Sequence, residues 1–155
     1  MALDLEQLRT DLARILTDGL RGGTPALVSP YGTDKVNPPT GGVHVMIEAD
    51  SDSYVEYATT FARNGQATVR FRLAVFASIT SGAESGQQIL DRFLSVGDNE
   101  SLWLANWTVG ATQTVGATQF VLDGATRVGE RQAVDSGARF TVAEIPVRVT
   151  VSKGA

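Results

Sequence analysis

The first twenty residues place their apolar side chains on one face of a helix. These side chains are three or four residues apart, which returns them to the same side at 3.6 residues per turn. They are Leu5, Leu8, Leu12 and Ile15. Asp4, with Gln7 three residues later, has the spacing of a capping box. Glycines from position 19 onward end the pattern, so a first helix is predicted over residues 4–20.

Two later segments are predicted to be strands. Residues 22–42 are rich in proline and glycine and predict a long loop that leads into a strand over residues 43–47. Residues 48–64 are polar and aromatic, which predicts a second long connection. Residues 67–77 give the clearest strand, because apolar side chains alternate there with polar ones, including two arginines.

A second helix is predicted after the clearest strand. Ser81 and Glu84 have the spacing of a capping box, and the apolar residues that follow recur at helical intervals as far as Gly97. Beyond this glycine, the residues around Trp103 predict a short third helix over residues 101–105.

The last third of the chain contains a duplication and a closing hairpin. The six residues TVGATQ occur twice in succession over residues 108–119. Their small and β-branched side chains predict a hairpin or extended excursion over about residues 106–124. We expect the duplication over residues 108–119 to lie in a solvent-facing excursion and to be dispensable for folding, since long surface insertions cost little. Residues 126–134 and 139–151 are predicted to form the final hairpin.

The last strand contains a change of phase. Phe140 begins one alternating series and Ile145 begins another, while Pro146 lacks an amide hydrogen. We therefore expect a β-bulge near residues 144–146, or an edge position for the proline. The elements run α-β-β-α-(short α)-β-β. This order predicts one α+β domain over residues 1–155, with a mainly antiparallel four-stranded sheet and the helices packed on one face.

The composition excludes several kinds of function. The chain has 155 residues, 13 Lys and Arg against 17 Asp and Glu, a net charge of −4 and no cysteine. Disulfides, thiolate metal sites and cysteine nucleophiles are therefore excluded, and the scattered basic residues disfavour tight nucleic-acid binding. No apolar run approaches the roughly 18–20 residues of a membrane span, so we expect no membrane partner.

Candidate chemistry in the sequence is sparse. His44 is the only histidine, which excludes a multi-histidine metal site and leaves no spare base for a catalytic triad. We expect it to be a surface or packing residue. Asp50 and Asp52 have the spacing of calcium ligands, but the glycine and closing glutamate of an EF-hand do not follow, so a turn is predicted. We predict no catalytic residue, no cofactor and no metal site.

Aromatic and basic side chains are the candidates for contacts with other proteins. Tyr54, Tyr57 and Phe61 lie at positions i, i+3 and i+7, a spacing typical of core packing or, in a loop-rich segment, of interface anchors. Arg70 and Arg72 lie on the polar face of the clearest strand. They are either solvated or paired with carboxylates of another subunit.

The order of several motifs resembles that of a known family. The amphipathic first helix is followed by Asn37, Pro38 and Pro39 before the first strand, and Tyr54-Val55-Glu56-Tyr57 leads into the clearest strand. The second helix, the short helix and the closing hairpin continue the same order. This arrangement resembles that of the tail terminator (tail completion) proteins of long-tailed, siphovirus-like phages, especially actinobacterial ones. The duplication at 108–119 departs from the family's pattern.

The resemblance implies a non-enzymatic virion protein that needs no cofactor. Such a protein forms a hexameric ring at the head-proximal end of the tail tube and ends tube polymerisation. Its partners would be further copies of itself, the major tail tube protein and a head-completion or stopper protein, with phage DNA passing through the ring. It would be assembled in the host cytoplasm and located in the neck region of the virion tail. We expect the contacts to lie in residues 34–42, 50–64 and 108–119.

Two alternatives remain open from the sequence. One is another neck component, a head–tail stopper or joining protein, although a stopper is more often a small β-barrel than a chain with two long helices. The other belongs to a different class, a small α+β domain that binds a ligand. That function needs convergent polar groups in a pocket, and the sequence identifies none.

Overall fold

In a computed structural model, the chain forms one large sheet that carries two helices on one of its faces. The structure describes residues 3–19, 25–32, 35–57, 66–81, 84–95, 112–115, 118–122, 126–132 and 137–152. Within these ranges the helices are α1 (Leu5–Gly19) and α2 (Gly86–Leu94). The strands are β1 (Ala26–Ser29), β2 (Val43–Ala49), β3 (Val55–Tyr57), β4 (Gln66–Ser78), β5 (Thr80–Ser81), β6 (Glu84–Ser85), β7 (Thr112–Val115), β8 (Thr118–Leu122), β9 (Arg127–Gln132) and β10 (Arg139–Ser152).

Eight of the described strands belong to the large sheet, and six of them follow one another in the order β1-β2-β4-β10-β8-β7. In addition, β3 pairs with β4 on the same edge as β2, and β9 pairs with β10 on the same edge as β8. All pairs are antiparallel except β1 with β2. The predicted α+β class is confirmed. The predicted sheet of four strands is too small, because β1 and β3 lie in segments predicted as loops and the duplication adds β7 and β8.

The register between β4 and β10 gives the sheet two distinct faces. Residues 140–152 stand opposite residues 78–66 without interruption, so the bulge predicted near residues 144–146 is wrong. Odd-numbered side chains of both strands face the helices, and even-numbered ones face away. Phe140 is buried on the face that points away from the helices. From Ala143 onward, the buried side chains of β10 are those that face the helices. The change of phase therefore marks a change in the buried face.

Pro146 stands where the outer edge of β10 passes from one partner to another. The pairing with β9 ends at Glu144, and the pairing with β8 begins at Val147. Neither strand pairs with the proline, whose ring nitrogen has no hydrogen to donate. β10 is an interior strand of the sheet, so the edge position predicted as the alternative to a bulge is wrong; the proline instead occupies a gap between two partners on one side of the strand.

The core lies between the helices and one face of the sheet, which we term the core face. α1 contributes leucines three and four residues apart, and α2 contributes its apolar stripe, all at most 5% exposed. They are Leu8, Leu12, Leu16, Ile89, Leu90 and Phe93. Burial of each such side chain stabilises the fold by about 1.5–3 kcal/mol. Neither described helix has the length and apolar character needed to cross a membrane.

α1 agrees with the predicted first helix to within one residue at each end. Asp4 accepts the amide hydrogen of Gln7 on Oδ1 at 3.0 Å, as the predicted cap requires. The side chain of Gln7 donates to Asp11 Oδ1 at 2.9 Å. In a capping box the Gln7 side chain would bond back to the amide of Asp4. Here that bond is replaced by one to the residue four positions further along the helix.

The N-cap of α2 lies four residues later than predicted. Ser85 Oγ accepts from the amide of Gln88 at 3.2 Å, and the Gln88 side chain accepts from the amide of Ser85 at 2.8 Å, which completes a capping box. The capping box predicted at Ser81 and Glu84 is wrong, because these residues pair with each other as β5 and β6. The helix ends at Leu94, before the predicted stop at Gly97.

The duplicated segment contributes two strands to the large sheet. β7 and β8 form an antiparallel hairpin, as predicted, and β8 also pairs with residues 147–151 of β10. Phe120 of β8 is completely buried in the main core. Thr118 and Gln119, the last two residues of the duplication, thus reach into the large sheet, whereas the expectation that residues 108–119 face solvent and are dispensable for folding stays a prediction. The closing hairpin of β9 and β10 is confirmed, and the short helix predicted over 101–105 lies outside the described residues.

Candidate interface

Charged residues from four strands converge on the face of the sheet opposite the helices, which we term the polar face. Arg131 of β9 donates through Nη1 to both carboxylate oxygens of Glu48 on β2, at 3.0 and 3.1 Å. Its Nη2 donates to Glu144 on β10. Arg72 Nη1 on β4 lies 3.7 Å from the second oxygen of Glu144. These contacts tie β9 to β2 across the two strands that separate them.

This cluster perturbs the ionisation of two of its members. The hydrogen bond from Arg131 lowers the pKa of Glu144 below its ordinary value despite partial burial, and nearby arginine charges lower it further. Burial alone would lower the pKa of Arg131, but the hydrogen bonds and charges of Glu144 and Glu48 raise it overall. Both groups stay ionised near neutral pH, so the cluster serves to hold strands together rather than to transfer protons.

The two arginines predicted as interface residues make contacts within the chain. Arg70 Nη1 lies 3.2 Å from Glu56 Oε2 and 3.4 Å from Ser53 Oγ. Arg72 faces Glu144, and its Nε is buried with no hydrogen-bond partner in the described part of the chain. Neither arginine is therefore a freely solvated side chain. Their pairing with another subunit stays a prediction.

A small polar cleft lies beside the charged cluster. Its volume is about 290 Å³, and six of its lining residues are polar or charged, with carboxylates and guanidinium groups intermixed. They are Asp50, Ser51, Asp52, Arg72, Arg127 and Glu144. Pockets that enclose small ligands are mostly apolar and about 300–1,000 Å³. No group of three or more metal-binding side chains occurs among the residues that the structure describes.

His44 is a buried packing residue on the polar face. It is 2% exposed, and its Nδ1 accepts the amide hydrogen of Asn37 at 3.0 Å. Its Nε2 lies 2.8 Å from Ser29 Oγ, so the neutral ring carries its hydrogen on Nε2 and donates to the serine. Burial lowers the pKa of His44. Of the predicted interface residues in this loop, Asn37 is exposed, and Pro38 and Pro39 are half-buried.

A buried arginine that was not among the predicted site residues organises two tyrosines. Arg9 of α1 is 7% exposed and donates to the backbone carbonyl oxygens of Pro30, at 3.0 Å, and Ile47. It also donates to the hydroxyl of Tyr54 at 3.2 Å. Its guanidinium lies over the ring of Tyr31, 4.4 Å from the centroid. Arg9 thus joins α1 to the segments that follow β1 and β2.

The three aromatic candidates have different surroundings. Tyr54 packs against the main core and meets Phe71 edge to face, with 5.7 Å between centroids, which favours the packing alternative. Tyr57 is 59% exposed, and its contact with another subunit stays a prediction. Phe61 lies outside the described residues, so its role stays a prediction.

Three of the five large apolar side chains that are exposed in the described part of the chain lie along one side of the sheet, which we term the tyrosine side. It is formed by β1, β2 and β3, because β10 occupies the other edge of β4 along its whole length. Leu27, Tyr31 and Tyr57 lie there and are 43%, 49% and 59% exposed. Tyrosine is enriched in protein interfaces, since its ring buries apolar area while its hydroxyl stays hydrogen-bonded.

Comparisons with known proteins leave the function open. No family model and no curated protein matches the chain. Solved structures do match it, and one aligns over 97% of this chain and 96% of its own, with 20% identity and a TM-score of 0.46. A likeness of this degree carries no argument about function, which has to be inferred from this chain's own residues.

Proposed function

We propose that the chain is a structural protein of the tail of a long-tailed phage. In this proposal it assembles into a hexameric ring at the head-proximal end of the tail tube, ends tube polymerisation and joins the tail to the head-completion proteins. The order of sequence motifs supports this function, and the α+β fold agrees with it. The polar cleft offers little to the alternative of a ligand-binding domain, because it is small and its lining has few apolar groups.

The observation that carries the proposal is the tyrosine side. Three large apolar side chains are exposed there, together with Asp52 and Glu56. Exposed tyrosines with charged side chains beside them are typical of surfaces that contact other proteins. Because this side contains an irregular segment on a rigid sheet, it is also where contact residues are normally found.

The proposal is tested by the mass of the full chain in solution and by its response to Tyr57→Ala. Ile79→Ala is the matched control, because Ile79 is 38% exposed but lies outside the tyrosine side. We expect ring-sized particles for the wild type and the control, and smaller species for Tyr57→Ala with an unchanged circular dichroism spectrum. A monomeric wild type at micromolar concentration would refute the proposed ring.

A further inference from the structure

Residues 35–42, which we term the strap, lie on the polar face of the sheet ahead of β2. Val36 packs there against a second apolar cluster, whose members are at most 6% exposed although both described helices lie on the core face. They are Met46, Ala74, Phe76, Phe140 and Val142. Among the described residues, the guanidinium of Arg131 also covers this cluster, 5.6 Å from the ring centroid of Phe76. Burial of the second cluster therefore depends in part on the strap.

The ring of His44 holds the middle of the strap to the sheet. Asn37 donates its amide hydrogen to Nδ1 at 3.0 Å, and Nε2 donates to Ser29 Oγ at 2.8 Å. A backbone amide can only donate, so the bond to the strap exists only while Nδ1 carries no hydrogen. The next two residues of the strap are prolines, which have no amide hydrogen to donate in its place. The attachment of Asn37 therefore requires a neutral His44.

We infer that the strap is a pH-sensitive cover, which protonation of His44 releases from the second apolar cluster. The proton is taken up from solvent by the lone pair of Nδ1, so that both ring nitrogens carry a hydrogen. Nδ1 then points a hydrogen at the amide hydrogen of Asn37, whereas the bond from Nε2 to Ser29 is kept. The contact with the strap is lost and the contact with β1 is not. This inference does not depend on the proposed ring.

No carboxylate among the described residues bonds to the ring of His44 and compensates a positive charge there. Both ring nitrogens have uncharged partners, and burial lowers the pKa of His44. β1 has no charged side chain. The charged side chains on the other elements around the ring are an exposed lysine on the strap and the charged cluster of the polar face. They are Lys35, Glu48, Arg72, Arg131 and Glu144.

The direction of the pH effect follows from this burial. When the strap opens, water reaches the ring, which then takes up a proton below about pH 6.5. The closed strap resists protonation, so its stability is complete above that pH and decreases as the pH falls below it. A single proton changes the opening equilibrium by at most about tenfold per pH unit.

Hydrogen exchange of the full chain at pH 7.5 and 5.5 tests the inference, with His44→Asn as the matched control. Exchange rates are divided by the intrinsic rate at each pH to give protection factors. We expect the protection of the strap amides to fall about three- to tenfold in the wild type. In the control, Oδ1 of asparagine accepts from Asn37 at both pH values, so protection should not change. Urea below the unfolding transition should speed exchange in β4 but not in the strap, because a local opening exposes little surface.

A thiol probe gives a second measurement that leaves His44 in place. The chain has no cysteine, so Val36→Cys introduces one thiol beneath the strap, and Val75→Cys introduces one in the main core that reports global unfolding. Rates of reaction with a disulfide reagent are divided by those of the urea-unfolded chain at the same pH. We expect Val36→Cys to react about three- to tenfold faster at pH 5.5 than at pH 7.5, and Val75→Cys to react more slowly at both.

Either of two results overturns the inference. The first is a wild-type strap whose protection changes no more with pH than that of His44→Asn, or, if this variant does not fold, a Val36→Cys rate that is equal at both pH values. The second is exchange of the strap with the same urea dependence as β4, because the strap would then open only when the whole chain unfolds. Neither result concerns the mass of the assembled protein, so the proposed function stands or falls separately.

Discussion

Arg9→Met is predicted to destabilise the protein strongly although the side chain carries no catalytic role. Arg9 is 7% exposed and donates to two backbone carbonyl oxygens and to Tyr54. Methionine retains much of the apolar volume of the arginine stem but donates no hydrogen bond. The substitution therefore isolates the contribution of the guanidinium.

The magnitude follows from the contacts that are lost. The buried carbonyl of Ile47 is left unpaired, which costs about 1–3 kcal/mol. The stacking on Tyr31 contributes about 0.5–2 kcal/mol more. We expect the free energy of unfolding to fall by about 3 kcal/mol. The loss is reduced by the desolvation cost of the buried guanidinium, which methionine does not have. At about 2–4 °C per kcal/mol for a chain of this size, the melting temperature should drop by about 6–12 °C.

Arg14→Met is the matched control, because Arg14 lies on the same helix, is 61% exposed and pairs only with Asp11 among the contacts of the described residues. Such an exposed ion pair is worth about 0–1 kcal/mol. Urea denaturation followed by circular dichroism measures both variants. If Arg9→Met unfolds within about 1 kcal/mol of Arg14→Met, the guanidinium does not stabilise the fold and this reasoning is wrong.

Three further predictions follow from the same structure. Gly42→Ala should lower the free energy of unfolding by about 3 kcal/mol, because the added Cβ would lie 2.1 Å from a backbone oxygen. Gly129→Ala places its Cβ in open space and should change the free energy of unfolding by less than about 0.5 kcal/mol, so equal effects of the two substitutions would contradict this reasoning. Burial lowers the pKa of His44, so the unfolded chain gains a proton below about pH 6.5 before the folded one does. The free energy of unfolding should therefore decrease from about pH 7.5 to 5.5, by at most about 1.4 kcal/mol per pH unit, and a profile as flat as that of His44→Asn would disprove it. Arg131→Gln should speed hydrogen exchange in β9 at least about tenfold, and Arg127→Gln should not; unchanged exchange would mean that the cluster does not hold β9.

The long periodic elements of this fold could be predicted from the sequence, and the short ones could not. α1, α2, β2, β4, β9 and β10 have enough residues to show a helical or alternating pattern. β1 and β3 have four and three residues, and their hydrogen bonds come from β2 and β4. Their strand conformation is therefore imposed by neighbours and leaves no periodic pattern of its own. The change of phase in β10 was misread as a bulge because the sequence does not tell which face is covered.

The candidate interface was predictable only in part. Arg9 follows Leu5 by four residues and precedes Leu12 by three, so its place in the apolar stripe of α1 was a signal of burial. The contact of Arg131 with Glu48 joins residues 83 positions apart and depends on strand order, which no local pattern specifies. Tyr54 and Tyr57 look equivalent by spacing, yet one is packed and the other exposed.

The mass of the purified full chain under native conditions tests the central claim most directly. Six subunits of 16.4 kDa form a particle of about 98 kDa. The account predicts this species by native mass spectrometry, and closed rings with sixfold symmetry by electron microscopy of the same sample. A protein that remains at 16.4 kDa at micromolar concentration, or that forms only twofold dimers, would contradict the account.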